Sequence, residues 1–268
     1  MKLCKLMDNI EKKQIGEGGQ YLYIVPAMED NYIYLLTWDK NALVVDPGDG
    51  KKVLALVEEL GLNLTNILIT HHHEDHTGGN ELLVKKTECC VIGPEDDRVP
   101  CLEQSVDDGE ELLFGPFTIE VIATPGHTKP HVVYFFRDLN LLFGGDLLFG
   151  AGCGKLMEGT AQEMWASLQT IMKLPEDTDI FFGHEYTQKN LEFAHHIEPN
   201  NEEVSKRLEE VRKLRNEGKP TVPTTLAIEM KTNPFLRAGT SEMKEAVAMP
   251  DATGLAVFTH LRQLKDNW

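Results

Sequence analysis

Four side chains able to hold a metal ion, His71, His73, Asp75 and His76, fall in one short stretch, Thr70-His71-His72-His73-Glu74-Asp75-His76. On an extended backbone, side chains two apart point the same way, so His71 and His73 can face one ion. Asp75 and His76 follow once the chain turns and can face a second ion beside it. Imidazole with carboxylate suits zinc and other first-row divalent ions. Such an ion lowers the pKa of the water it holds from 15.7 to about 7, which supplies hydroxide at neutral pH without a serine or cysteine nucleophile. A polar loop or an expression tag is the plain alternative, but a tag sits at a terminus and lacks the aspartate. No GxSxG elbow or P-loop offers a competing chemistry.

Three more polar residues each follow a short apolar run. His127 lies in Ala123-Thr124-Pro125-Gly126-His127-Thr128, Asp146 in Gly144-Gly145-Asp146, and His184 in Phe182-Gly183-His184-Glu185. Each alone reads equally well as a turn histidine or a capping aspartate. In the order His, Asp, His after the first cluster, they are candidates for the rest of one site built on loops at strand ends. Asp46, in Asp46-Pro47-Gly48, either opens a turn or fixes a ligand imidazole through a hydrogen bond.

The elements that must position these residues follow from periodicity. Asn66-Ile67-Leu68-Ile69, just before the cluster, reads as a buried strand, and Thr77-Gly78-Gly79-Asn80 as a turn into a helix near Glu81-Leu82-Leu83-Val84. Tyr21 to Val25, Tyr32 to Leu36 and Ala42 to Val45 read as three earlier strands. Asp49 caps a helix from Lys51 to Leu60, ended by Gly61. Further strands are expected at Cys90 to Ile92, Phe117 to Ile122, His131 to Phe136, Leu141 to Phe143 and Asp179 to Phe182. Thr160 with Glu163 forms a capping box for a helix reaching Met172. From about Tyr186 no strand is expected. Helices are expected at Asn190 to Ile197, Glu202 to Glu217 and Thr253 to Lys265. The division is an extension over 1–20, a mixed α/β catalytic domain over 21–185 and a helical domain over 186–268.

The chain has 268 residues, 41% hydrophobic, with a formal charge of −17. That charge argues against a nucleic-acid groove, which needs a basic face. No apolar run approaches the ~18 residues of a membrane span. The first twenty residues lack the apolar stretch of a secretory signal and carry acidic residues. Five cysteines (Cys4, Cys89, Cys90, Cys101, Cys153) form no CxxC pair, so reduced thiols in the cytosol are expected.

HxHxDH after an apolar strand resembles the metallo-β-lactamase superfamily. Gly150-Ala151-Gly152-Cys153-Gly154-Lys155, Gly183-His184-Glu185-Tyr186-Thr187 and Asn233-Pro234-Phe235-Leu236-Arg237 resemble its glyoxalase II (hydroxyacylglutathione hydrolase) family, over about Tyr21 to Lys265. The resemblance implies an αββα two-sheet sandwich with a helical C-terminal domain. It implies two divalent ions, zinc first with iron or manganese as alternatives. It places His71, His73 and His127 on one ion, Asp75, His76 and His184 on the other, and Asp146 between them, with His72 turned away. It implies catalytic roles for Asp75 and Asp146, Asp75 by helping to orient the attacking water. Lys155, Tyr186, Asn190, Arg262 and Lys265 would contact the glutathione part of a thioester, the last two as a basic pair on one helical face. The implied reaction is hydrolysis of S-D-lactoylglutathione to glutathione and D-lactate, the second step of methylglyoxal detoxification. A cytoplasmic monomer without nucleic-acid or membrane partners is expected. Met157 stands where many relatives have a tyrosine, Glu74 where an aromatic residue is frequent, and Gly126 where some have cysteine. Rival readings are a one-iron persulfide dioxygenase, a flavodiiron oxidoreductase and a zinc buffer.

Overall fold

The structure, a computed structural model, describes residues 10–268. Cys4 and the first nine positions of the expected extension lie outside the described residues. The chain carries two mixed β-sheets, of seven and six strands, with helices. It divides into two compact units: residues up to Ala123 with Val132–Leu139, and Thr124–His131 with Asn140–Trp268.

The first unit holds the seven-stranded sheet, β1 (Glu11–Gln14), β2 (Tyr21–Ala27), β3 (Asn31–Trp38), β4 (Asn41–Val45), β5 (Asn63–Leu68), β6 (Cys90–Pro94) and β7 (Leu102–Val106), in sequence order across the sheet. Pairing is antiparallel from β1 to β4 and parallel from β4 to β7. The parallel steps need crossovers, and helices supply the first two. Helix α1 (Gly50–Leu60) links β4 to β5, capped by Asp49 and closed by Gly61 in the left-handed conformation, φ 63°. Helices α2 (Glu74–Thr77) and α3 (Asn80–Thr87) link β5 to β6. Val53, Leu56 and Val57 of α1 and Leu83 of α3 pack on Ile33, Leu35, Val44 and Ile67 of the sheet. Each such side chain contributes roughly 1.5–3 kcal/mol when fully buried. The antiparallel strands β8 (Glu111–Phe114), β9 (Phe117–Ala123) and β10 (Val132–Phe136) complete this unit.

The second unit contains β11 (Leu141–Gly145), the short hairpin β12 (Leu148–Phe149) and β13 (Gly152–Cys153), β14 (Asp179–Phe182) and β15 (Thr224–Thr225). Strand β14 runs parallel to β11 and antiparallel to β15. Its helices are α4 (Ala161–Ile171), α5 (Thr187–Ile197), α6 (Glu202–Asn216), α7 (Leu226–Thr232), α8 (Ser241–Ala246) and α9 (Gly254–Asp266). Helix α4 starts with the expected capping box of Thr160 and Glu163. Leu191 and Ala194 of α5 pack on Val204, Leu208 and Val211 of α6, and Ala151 joins them. A buried carboxylate fastens the hairpin to the helices. Glu229 accepts hydrogen bonds from the Ala151 amide at 2.8 Å, Asn233 Nδ2 at 2.9 Å, Thr224 Oγ1 at 2.9 Å and the Arg207 guanidinium.

The strands that the sequence pattern does not reveal are β1, β7, β8 and β15, which sit at the four ends of the two sheets, and the two-residue pair β12–β13. End strands have one open side and need no continuous apolar run; β7, for example, buries only Val106 fully. Thus the segment expected to be an extension joins the sheet at Glu11–Gln14, and the stretch after Tyr186, expected to be strand-free, contains β15.

Candidate metal centre

In the first unit, the parallel strand β5 delivers the chain to Thr70, and two bonds fix it there. Tyr134 Oη donates to the Ile69 carbonyl at 2.8 Å, and the Val132 amide donates to the Thr70 carbonyl at 3.0 Å. Burial pushes the Tyr134 hydroxyl well above its ordinary pKa, so it stays a donor. His71 is fully buried, and its Nε2 faces His73 Nδ1 at 3.0 Å. His73 then begins helix α2, which turns Asp75 and His76 onto the next face. Asp75 Oδ2 lies 3.5 Å from His76 Nε2 and accepts from Asn31 Nδ2 at 2.9 Å. A Cβ on Gly48 would overlap the Asp75 carbonyl oxygen, so the turn from Asp46 passes under the ligand loop only as glycine.

Asp46 sits behind the imidazoles, left-handed at φ 49° and buried. Its Oδ1 accepts the Thr70 amide at 2.8 Å. Its Oδ2 accepts Thr70 Oγ1 at 2.7 Å and faces His76 Nδ1 at 3.0 Å. An ionised carboxylate only accepts, so His76 carries its proton on Nδ1 and turns the Nε2 lone pair the other way. Thr70 Oγ1 also lies 3.0 Å from His71 Nδ1, leaving His71 Nε2 directed toward His73.

In the second unit, His127 Nδ1 donates to the Lys155 carbonyl at 2.7 Å, which likewise leaves Nε2 as the candidate donor to an ion. Asp146 Oδ2 lies 3.5 Å from His127 Nε2 and 3.4 Å from His184 Nε2. His184 is stacked on Tyr186, ring centroids 4.9 Å apart and planes 6° from parallel. A Cβ on Gly154 would overlap the Asp146 carbonyl oxygen and crowd His127 Cβ, so the chain after β13 also passes this site only as glycine.

Among the described residues, three groups have ligand atoms all within 4.8 Å of one another: His71, His73 and His127; His71, His76 and Asp146; Asp75, His76 and His184. Nitrogen and carboxylate donors with their far-side nitrogens already engaged are the chemistry of a zinc or other first-row site. His72 joins none of these groups and instead faces Asp96, Nδ1 to Oδ2 3.3 Å.

The residues expected to meet substrate are placed less uniformly. Lys155 is exposed, and Tyr186 is half-buried against His184. Asn190 is buried and donates to the Gly150 carbonyl at 3.1 Å. Arg262 is also buried. It donates to the Cys153 carbonyl at 3.1 Å and pairs with Asp266 at 2.8 Å. Lys265 is half-buried, with Nζ 3.4 Å from the Lys189 carbonyl. Met157 is exposed, and its amide donates to the His127 carbonyl at 3.1 Å. Two positions hydrogen-bonded to Asp75 and Asp146 escape the sequence pattern. Asn31 reads only as a turn residue, and His131 only as the start of a strand. A buried polar residue at the head of an apolar strand was the available signal for both.

Among the described residues no helix is long and apolar enough to cross a membrane. Residues 29–184 match the metallo-beta-lactamase superfamily, and residues 185–268 match the hydroxyacylglutathione hydrolase C-terminus. The hydroxyacylglutathione hydrolase of Rhodospirillum rubrum is 44% identical over 251 residues, which span 92% of this chain and 98% of that protein. That of Methylococcus capsulatus is 42% identical over 246 residues, spanning 90% and 96%. A metallo-beta-lactamase structure from Staphylococcus aureus superposes with a TM-score of 0.63 at 19% identity, over 93% of this chain and 72% of that one, which shows the fold. With its two mixed sheets, its His/Asp metal-binding clusters and these relatives, the chain belongs to the hydroxyacylglutathione hydrolase (glyoxalase II) family of the metallo-β-lactamase superfamily.

Proposed function

We propose that this chain hydrolyses S-(2-hydroxyacyl)glutathione thioesters, converting S-D-lactoylglutathione to glutathione and D-lactate in the second step of methylglyoxal detoxification. The observation that carries the reading is the three groups of His and Asp ligand atoms, those of each group gathered within 4.8 Å of one another. We assign His71, His73 and His127 to one ion, Asp75, His76 and His184 to the other, and Asp146 to both. Zinc suits these donors first, with iron or manganese as alternatives. Such ions supply Lewis acidity toward a thioester carbonyl and toward water. The side chains do the rest. Asp75, steadied by Asn31, orients the attacking water, and Asp146 Oδ2 faces the Nε2 atoms of both His127 and His184. A thiolate leaves without a strong general acid. The acting unit is a monomer in the cytosol. Release of thiol from S-lactoylglutathione by metal-loaded protein tests the activity; no release above the uncatalysed rate refutes it.

In this reading Lys155, Tyr186, Asn190, Arg262 and Lys265 form the glutathione end of the site. The free charges fall to Lys155 and Lys265, because Arg262 is already paired with Asp266 and Asn190 is bonded to Gly150. Burial, and after it the neighbouring Arg262 cation, pulls Lys265 down from 10.5 to about 8. Cys153 and Glu192 oppose that shift, and Lys189 adds to it. Below pH about 8, Lys265 is an ammonium able to hold a carboxylate; above it the charge is lost. The KM for a glutathione thioester should therefore rise as pH passes about 8, with kcat changed little, since this contact is the same in ground and transition states. Lys265→Ala should remove that rise, and a small thioester lacking the tripeptide should not show it. A KM profile unchanged by Lys265→Ala would detach Lys265 from the substrate. The same shift bears on folding: between pH about 8 and 10.5 the unfolded chain binds the extra proton, so stability rises with pH across that window.

A further inference from the structure

The second unit contains a buried histidine that none of the ligand groups uses. His131 precedes β10 and is 1% exposed. Its carbonyl accepts the Thr124 amide at 2.8 Å, and its Nδ1 lies 2.9 Å from Thr124 Oγ1. Its Nε2 accepts the Asp146 amide at 3.3 Å. The last bond settles the tautomer. A ring nitrogen that accepts from an N–H bears no proton, so Nδ1 carries it and donates to Thr124 Oγ1.

These bonds do two things at once. The pair between Thr124 and His131 closes the loop 124–131, on which His127 stands. The bond to the Asp146 amide ties the closing residue of that loop to the backbone of the next ligand. His127 Nε2 and Asp146 Oδ2 end 3.5 Å apart. We propose that His131 is a positioning residue: it fixes the spacing of His127 and Asp146 and thereby sets the metal affinity of this half of the site. The inference rests on reading those two residues as ligands. Asp46 and Thr70 hold His76 and His71 in the first unit by the same means, buried polar groups behind the imidazoles.

The test is Zn²⁺ affinity, measured by competition with a chromophoric chelator, alongside the circular dichroism and melting temperature of the metal-free protein. His131→Leu should keep the metal-free fold and lose about 10–100-fold in affinity, the scale on which groups behind a ligand act. His131→Gln, whose Oε1 reaches the Asp146 amide, should recover most of that loss. Thr124→Val, which removes the partner that holds the proton on Nδ1, should weaken binding in the same direction. ¹⁵N NMR of the parent protein should find the His131 proton on Nδ1. Asp146→Asn is the reference for the ligand reading. Unchanged affinity in His131→Leu beside weakened binding in Asp146→Asn overturns the role of His131 alone. Unchanged affinity in both overturns the ligand reading beneath it. If His131→Leu does not fold, wild-type affinity in Thr124→Val would also overturn the proposal.

Discussion

Asp146→Ala is expected to strip metal from the protein and lower thioester turnover by more than about a hundredfold, while His72→Ala keeps both within about threefold. The magnitude follows from a comparison. Removing a group that only orients a ligand costs about 10–100-fold, so removing a residue that we propose as a ligand to both ions should exceed the upper end. Asp146 Oδ2 faces both His127 and His184, and the residue is buried, so no water-filled surface substitutes for it. His72 lies between two ligand residues in sequence, yet its ring pairs with Asp96, which Arg98 also serves at 2.8 Å. Elemental analysis and steady-state kinetics on both variants decide the matter. Comparable losses in the two would undo the assignment of ligands.

The second large effect is expected at a residue that touches no ion. Asp46→Asn keeps the size of the side chain but replaces one acceptor oxygen with a donor. The amide oxygen can still take the Thr70 amide, now made by Oδ1 at 2.8 Å. Its nitrogen must then face Thr70 Oγ1 and His76 Nδ1, where only an acceptor fits the present proton placement. To accept from that nitrogen, His76 must move its own proton to Nε2, the atom that should hold metal. A wrong tautomer of this kind is costly at other histidine sites even where geometry is kept. Zn²⁺ affinity should fall about 10–100-fold, with the metal-free fold retained. Asp46→Asn binding zinc as tightly as the parent would show that the carboxylate serves the turn alone.

Much of this arrangement is visible in the sequence. HxHxDH after an apolar strand marks the first four residues of the candidate metal-binding groups, and His127, Asp146 and His184 each follow a short apolar run, because strand interiors need branched and aromatic residues. Asp49, Gly61 and the Thr160–Glu163 pair mark helix ends through local bonds that span only a few residues. What escapes is non-local. Asn31 meets Asp75 across 44 positions, and His131 meets Asp146 across 15, so no pattern of spacing brings them together. The four end strands escape because one of their sides is open.

Arg262 shows a different limit. Its spacing from Lys265 correctly says that the two lie near one helical face, but not which face is covered. Val257, Phe258, Leu261 and Arg262 form the buried stripe of α9, at the spacing of one helical face. Arg262 thus continues an apolar stripe, and its cation is met by Asp266 four residues on. Lys265, half-exposed, keeps the freer charge. The stripe was the signal that an arginine there would turn inward.

We propose a thioester hydrolase that works with two ions. Its most direct test is a titration of chelated protein with Zn²⁺, following hydrolysis of S-D-lactoylglutathione by thiol release and bound metal by elemental analysis. Little activity is expected without metal, with a rise that completes at two ions per chain. Full activity at one ion per chain, or none at two, would contradict it.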